Sequence, residues 1–329
     1  MKISIGEPNL TALEAKYVQE ALDSGWISSK GEFVSRFEEQ FAEYLGVRHA
    51  ISVNSGTSAL QLAYASATKS SATPFHVSED TFQATHHMAH LVSSEVHLLP
   101  PDRSTWNIRL DKLAQATGVI VGVHLYGNPI EMSHLPRLKA IFLEDCAQAL
   151  GSEFHGQKLG TFGLLSCFSF YANKTITTGE GGMICTNDDK LADGIRLMNR
   201  NAMIEPYIHH GLGFNFRMTN IQAAIGLAQL ERIEELLAKK QQITKWYDSM
   251  LGWKFKRQAS TKGSRVIKWM NAYKHKQAKA IRITLAENGI ETRPGFLDPE
   301  VIVFPSGTKL TKTDVESICH EADHAVGCL

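Results

Sequence analysis

GVIVGVHLYGNPIEMSHLPRLKAIFLEDCAQALGS, residues 118–152, decides the fold. Its two short apolar runs, GVIVGV and AIFL, are too continuous for a strand with one wet face. Runs of this kind, separated by helical segments, belong to parallel strands buried on both faces. HAISVN (49–54), SEVHLLP (94–100) and LLSCFSF (164–170) repeat the pattern. The expected architecture is therefore α/β, a mostly parallel sheet between helices. Such sheets gather ligands at the carboxyl ends of their strands. Polar residues follow the runs at those ends: Ser55-Gly56-Thr57, His124, Asp145 and Ser169.

Helices are expected over residues 9–23, with Asn9 or Thr11 as the cap, and over 33–46, closed by Gly46. TNIQAAIGLAQLERIEELLAKKQQITKW (219–246) reads as one long helix. Beyond it the chain turns basic and irregular, so a large domain is expected over 1–240 and a smaller C-terminal one over 241–329.

Composition narrows the partners. Lys plus Arg and Asp plus Glu each total 34, and no basic run favours nucleic acid or an anionic membrane surface. No stretch approaches the roughly 18 apolar residues of a membrane span, and the N-terminus has no signal-peptide core, so a cytoplasmic protein is expected. Cys146, Cys167, Cys185, Cys319 and Cys328 show no paired spacing and read as packed thiols. His86 and His90 would share a helical face, but HHMAH lacks the Glu of HExxH and no metal is expected.

The chemistry concentrates in FSFYANKTITTGEGGM (168–183), where Lys174 is the one cation, set among small, aromatic and hydroxyl residues. A desolvated lysine has a lowered pKa and can condense with an aldehyde such as pyridoxal phosphate. In EDCAQALGS (144–152), Asp145 directly follows an apolar run. It reads either as a helix cap or as an acid awaiting a cationic partner, such as a protonated pyridine nitrogen. SVNSGTSALQLAY (52–64) sets Ser55, Gly56 and Thr57 at the start of a helix, either as plain caps or as a phosphate site.

Taken together, GWISSKG (25–31), FEEQFAEYLG (37–46), NSGTSALQLA (54–63), TFQAT (81–85), VHLYGNP (123–129), EDCAQALGS, the Lys174 segment and GFNFRMTNIQAAIGLAQLERI (213–233) resemble, in order, the motifs of the DegT-type sugar-nucleotide aminotransferases. These are fold type I pyridoxal-phosphate enzymes, and the nearest likeness is to perosamine-synthase-like members. The resemblance implies that Lys174 carries the cofactor and shuttles the proton, and that Asp145 pairs with the pyridine nitrogen. It also implies that Gln148 meets the ring's phenolic oxygen and Phe82 stacks on the ring, while Gly56, Thr57 and Ser169 hold the phosphate. Asn215 would reach that phosphate from a second subunit, making a homodimer with shared sites. Glutamate is the implied donor and a nucleotide-linked keto sugar, such as a GDP- or UDP-4-keto-6-deoxyhexose, the acceptor.

Relatives with histidine at the lysine position dehydrate the sugar instead, and Lys174 favours amino transfer over that alternative or over a non-catalytic role. Trp26, Ser28 and Lys30 are candidates for substrate contact, or else parts of a structural loop. The C-terminal region departs from the family pattern: between GIETRPGF (289–296) and VFPSGTKL (303–310) little more than LDPEV remains.

Overall fold

The computed structural model describes residues 2–68 and 70–327. Cys328 lies outside the described residues. Seven strands form the main sheet: β1 (His49–Val53), β2 (Phe75–Ser78), β3 (Val96–Leu99), β4 (Val119–Val123), β5 (Ile141–Asp145), β6 (Leu165–Ser169) and β7 (Gly182–Thr186). Their order is β1-β7-β6-β5-β4-β2-β3. β7 runs antiparallel to both its neighbours, and every other pairing is parallel. The apolar runs of the opening stretch are β4 and β5, and all of β4 is buried, as a strand covered on both faces must be.

Helices α1 (Ala12–Asp23), α2 (Glu32–Leu45), α3 (Gly56–Ala67), α4 (Gln83–Val92) and α5 (Asp189–Asn199) pack around this sheet. Thr11 starts α1 through a reciprocal capping box with Glu14. The apolar stripe of α2 presents Phe33, Phe37 and Phe41, all buried. The Phe41 ring lies 5.2 Å from that of Phe168 and 5.5 Å from that of Phe170. Each such side chain contributes about 1.5–3 kcal/mol of burial, and here it fixes the end of β6 from which the Lys174 segment departs.

The single helix expected over 219–246 is two helices, α6 (Asn220–Glu231) and α7 (Ile233–Met250). Arg232 leaves helical geometry at φ −103°, ψ 12°. Its guanidinium donates to the Glu14 carboxylate (3.0 Å) and the Asn9 carbonyl (3.3 Å). Apolar periodicity runs unbroken through the junction, where Arg232 also pairs with Glu235 of the following helix (3.1 Å).

A second sheet, β8 (Lys256–Arg257), β9 (Asn271–Lys274), β10 (Arg293–Pro294) and β11 (Val301–Phe304), is antiparallel in the order β8-β9-β11-β10 and is backed by α8 (Ala278–Glu287) and α9 (Lys312–Gly327). Within α7, Ile233, Leu236 and Leu237 join the core of the main sheet, while Ile243 and Tyr247 join the core of the second. Residue 240 stands at that change. The chain ends do not respect one cut point: Ile3 bridges to Ile290, and Thr261 and Ile267 bond back to Asn128 and Ser152. Among the described residues, no helix is long and apolar enough to cross a membrane.

Candidate active site

The carboxyl ends of the parallel strands open on a cavity of about 490 Å³ lined by Ser55, Gly56, Thr57, Phe82, Thr85, Asp145, Gln148, Ser169, Lys174, Trp269, Arg293 and Phe296, among others. Asp145 is the last residue of β5, the middle strand. Its carboxylate accepts from the Thr85 hydroxyl (2.9 Å) and the Ala147 N–H (3.0 Å). Burial pushes its pKa up, against the pull of those two bonds and of the Lys174 charge. An acid held this way needs a cation in the cavity to ionise without penalty.

Lys174 follows β6 in a turn where its own N–H donates to the Tyr171 carbonyl (2.8 Å). Its Nζ stands 3.8 Å over the Trp269 ring centroid. No protein acceptor hydrogen-bonds that amine among the described residues, so it is free to act as a nucleophile. Burial lowers its pKa to about 7, with the Asp145 charge opposing. The glycine-dense stretch after it lets chains meet closely: a Cβ on Gly182 would stand 2.6 Å from the Ser55 carbonyl oxygen.

That approach seats the start of α3. Ser55 caps the Ser58 N–H (3.1 Å), and the first helical bond runs from the Ala59 N–H, so the Gly56 and Thr57 N–H groups precede the bonded turn and can receive an anion. A Cβ on Gly56 would lie 2.8 Å from the Ser169 Cβ. Gly56→Ala is therefore expected to fill the cradle: bound cofactor after dialysis should fall at least about tenfold, with about 1–3 kcal/mol of stability lost to overpacking.

Gln148 is buried, and its Oε1 accepts from the Tyr126 N–H (2.8 Å), which leaves its amide N–H groups for the cavity. Phe82 caps α4 and is 58% exposed at the cavity mouth. Behind it Phe296 meets the Phe82 ring at 6.2 Å and stacks on Tyr126 at 5.6 Å.

Other sequence candidates lie elsewhere. Asn215 is exposed and does not line the cavity of its own chain. Trp26, Ser28 and Lys30 are exposed outside it too. The Asn220 amide pins their loop, donating to the Trp26 carbonyl (2.7 Å) while its backbone N–H donates to that of Ser28 (2.8 Å). His86 bonds the Ser78 carbonyl (2.6 Å) and His90 is exposed. Buried His124 pairs with Glu144 (3.1 Å), which also accepts from Gly160, Phe162 and Gly163, and His124 Nδ1 accepts from the Ile130 N–H. Though Cys146 lies beside these two, both ring nitrogens are taken, and the pair braces the turn before β6 and the segment after β4. Burial raises the Cys146 thiol pKa well above its usual value, so it packs rather than reacts.

Trp269, Arg293 and Phe296 were not among the sequence candidates: they come from more than ninety residues beyond Lys174, and GIETRPGF, which holds the last two, shows no link to it in the sequence. Thr85 stood inside the quoted TFQAT segment; its signal, a hydroxyl one turn into a helix, also fits a plain cap.

An open α/β sheet with a desolvated lysine, a buried acid and a helix start around one cavity defines an enzyme of covalent amine chemistry. Residues 8–321 match the DegT/DnrJ/EryC1/StrS aminotransferase family, and the chain belongs to that family. It is 38% identical over 307 residues to the GDP-perosamine synthase of Escherichia coli O157:H7, covering 89% of this chain and 84% of that one. It is 42% identical over 261 residues to the GDP-perosamine synthase of Caulobacter vibrioides, covering 76% and 70%. Among solved structures, Helicobacter pylori PseC, an aminotransferase involved in the biosynthesis of pseudoaminic acid, superposes with a TM-score of 0.93 at 26% identity, with full coverage of both chains.

The protein is an aminotransferase whose cofactor is pyridoxal phosphate. The residues present fit that group: a free amine for an aldehyde, a buried acid for a pyridine nitrogen, and a side-chain-free cradle at a helix start for a phosphate.

Proposed function

We propose that this protein moves an amino group from glutamate to a nucleotide-linked 4-keto-6-deoxyhexose. The observation that carries the reading is the unbonded amine of Lys174 sharing a cavity with the buried carboxylate of Asp145. When bound, pyridoxal phosphate supplies the aldehyde that receives the amino group and the ring that accepts the electrons released at the donor's Cα.

The chain's own residues do the rest. Lys174, whose pKa burial lowers to about 7, would supply the neutral amine that holds the aldehyde and, at its Nζ, the base that takes and returns a proton. Asp145 would hold a proton on the pyridine nitrogen, and the Ala147 N–H and Thr85 hydroxyl fix the direction of its carboxylate. Gly56, Thr57 and Ser169 would hold the phosphate, Gln148 would donate to the phenolic oxygen, and Phe82 would pack on the ring. Arg293 is the other cation lining the cavity and would meet an anionic part of the substrate.

Asn215 serves the cavity of a second subunit in a homodimer. Its exposed position away from its own cavity supports this. Asn215→Ala should then lower cofactor retention more than an Asn201→Ala control, as measured by absorbance after gel filtration; equal retention would argue against a shared site. The test of the whole reading is glutamate consumption across a panel of GDP-, UDP- and dTDP-linked 4-keto sugars. Amino sugar formed from at least one of them is the expected result. A deoxygenated sugar formed without glutamate being consumed as amino donor would replace it with dehydration.

A further inference from the structure

Asp80 follows β2, stands two residues before Phe82 and is 7% exposed. Its carboxylate accepts from the Leu297 N–H (3.1 Å), a bond between residues 217 apart that joins the carboxyl end of the main sheet to the second sheet. Among the described residues Asp80 makes no ion pair. A buried carboxylate without a cation at hydrogen-bonding distance is costly, and the cost falls here on one backbone contact.

That contact holds the turn joining β10 to β11, residues 295–300, which is the abbreviated stretch of the C-terminal region. The Gly295 N–H closes its base on the Val301 carbonyl (3.2 Å), and the Val301 N–H bonds the Asp298 carbonyl (3.1 Å). On the side of the second sheet, Asp298 pairs with Lys274 of β9 (2.5 Å). On the side of the main sheet stands Asp80. Between these anchors Phe296 reaches the cavity, with its ring 6.2 Å from that of Phe82 and stacked on Tyr126 at 5.6 Å, and Arg293 lines the cavity from the base of the turn. Leu297 itself is 53% exposed, so apolar burial does little to hold the tip.

We propose that Asp80 is a positioning residue for the acceptor substrate: through the Leu297 N–H it latches the 295–300 turn to the main sheet and so sets the wall, Phe296 with Arg293, that the sugar nucleotide meets. This rests on a nucleotide-linked keto sugar being the acceptor.

The two halves of the cavity have separate supports. Lys174, Asp145, Gly56 and Ser169, the residues assigned to the cofactor, all belong to the main sheet and its connections, whereas Phe296 and Arg293 come from the second sheet. Releasing the latch leaves the first group in place and loosens the second.

The test uses the full-length protein loaded with pyridoxal phosphate, saturating glutamate, and a GDP-linked 4-keto-6-deoxyhexose as acceptor, with its UDP- and dTDP-linked counterparts beside it. Asp80→Ala removes the accepting oxygen. Asp80→Leu, which removes it without leaving a void, is measured as well in case the first does not fold, and Asp80→Asn keeps an oxygen for the Leu297 N–H. In the Ala and Leu variants KM for the keto sugar should rise about tenfold, while kcat and cofactor retention change by less than about twofold. The Asn variant should stay within about threefold of the parent. Amide exchange gives a readout independent of turnover: protection across residues 295–300 should be lost in the Ala and Leu variants and kept in the Asn one. Phe296→Ala should also raise KM, and adding Asp80→Ala to it should raise it by less than the two effects multiplied, because Asp80 acts through that wall.

An unmoved KM in the Ala and Leu variants overturns the proposal, as does a loss of kcat or of cofactor retention as large as the rise in KM. So does an Asn variant that behaves as the Ala one, or a double variant whose effects multiply. A parent that aminates none of the acceptors overturns the reading of the acceptor instead, and exchange across 295–300 then decides the latch alone.

Discussion

Lys174→Ala should fold, bind no cofactor covalently and lose at least about 10³-fold in turnover, because the nucleophile and the proton carrier are the same nitrogen. Folding survives because Lys174 makes no side-chain hydrogen bond among the described residues, and the surrounding core of Phe168, Phe170 and Ile176 is untouched. The stability of the cofactor-free proteins should differ with pH in a defined direction. Burial depresses the folded-state pKa of Lys174 from 10.5 to about 7. A depressed base contributes stability that is complete above its unfolded value and is lost as pH falls through the folded one. The parent therefore weakens between about pH 10.5 and 7 in a way that the variant does not. Melting curves at pH 6 and pH 10 check this. Lost packing on Trp269 lowers the variant equally at both, so the difference between the two pH values isolates the amine.

Asp145→Asn is expected to separate function from stability. Asparagine keeps an acceptor for the Ala147 N–H but cannot hold a proton on a pyridine nitrogen. A hydrogen bond to a charged group contributes about 1.5–3 kcal/mol, so cofactor retention should fall roughly 10- to 100-fold, with turnover falling further. The cofactor-free variant should nonetheless melt higher than the parent at neutral pH. Burial raises the Asp145 pKa above 3.8, and an acid raised on folding loses its stabilising contribution as pH climbs through the folded value. At pH 7 the empty parent thus bears the cost of a desolvated carboxylate that asparagine avoids, a trade of stability for function common at active sites. A variant that retained cofactor as the parent does would leave Asp145 without its assigned role.

Much of this was legible in the chain. The continuous apolar runs that became β4 and β5 fixed a buried parallel sheet, and with it the strand ends where Asp145 and Ser169 stand. Lys174 and Gly56 were readable because each lies in a segment with local character, Gln148 and Phe82 only through the family resemblance, and all four line one cavity. The break at Arg232 was not readable from periodicity, and one of the two acids that hold Arg232 there, Glu14, lies more than two hundred residues away. Trp269 and Arg293 were invisible for the same reason: side chains brought in by the second sheet leave no periodic mark. Trp26, Ser28 and Lys30 lie outside their own chain's cavity, and of the two readings open for them the structure adds only the Asn220 bonds that order their loop.

The central claim is that one particular amine takes the cofactor. Borohydride reduction of the protein loaded with pyridoxal phosphate, followed by digestion and mass spectrometry, tests it directly. The pyridoxyl mass should fall on the peptide containing Lys174 and be absent from Lys174→Ala. Stoichiometric label on another lysine, such as Lys240 or Lys268, or no label at all, would contradict it.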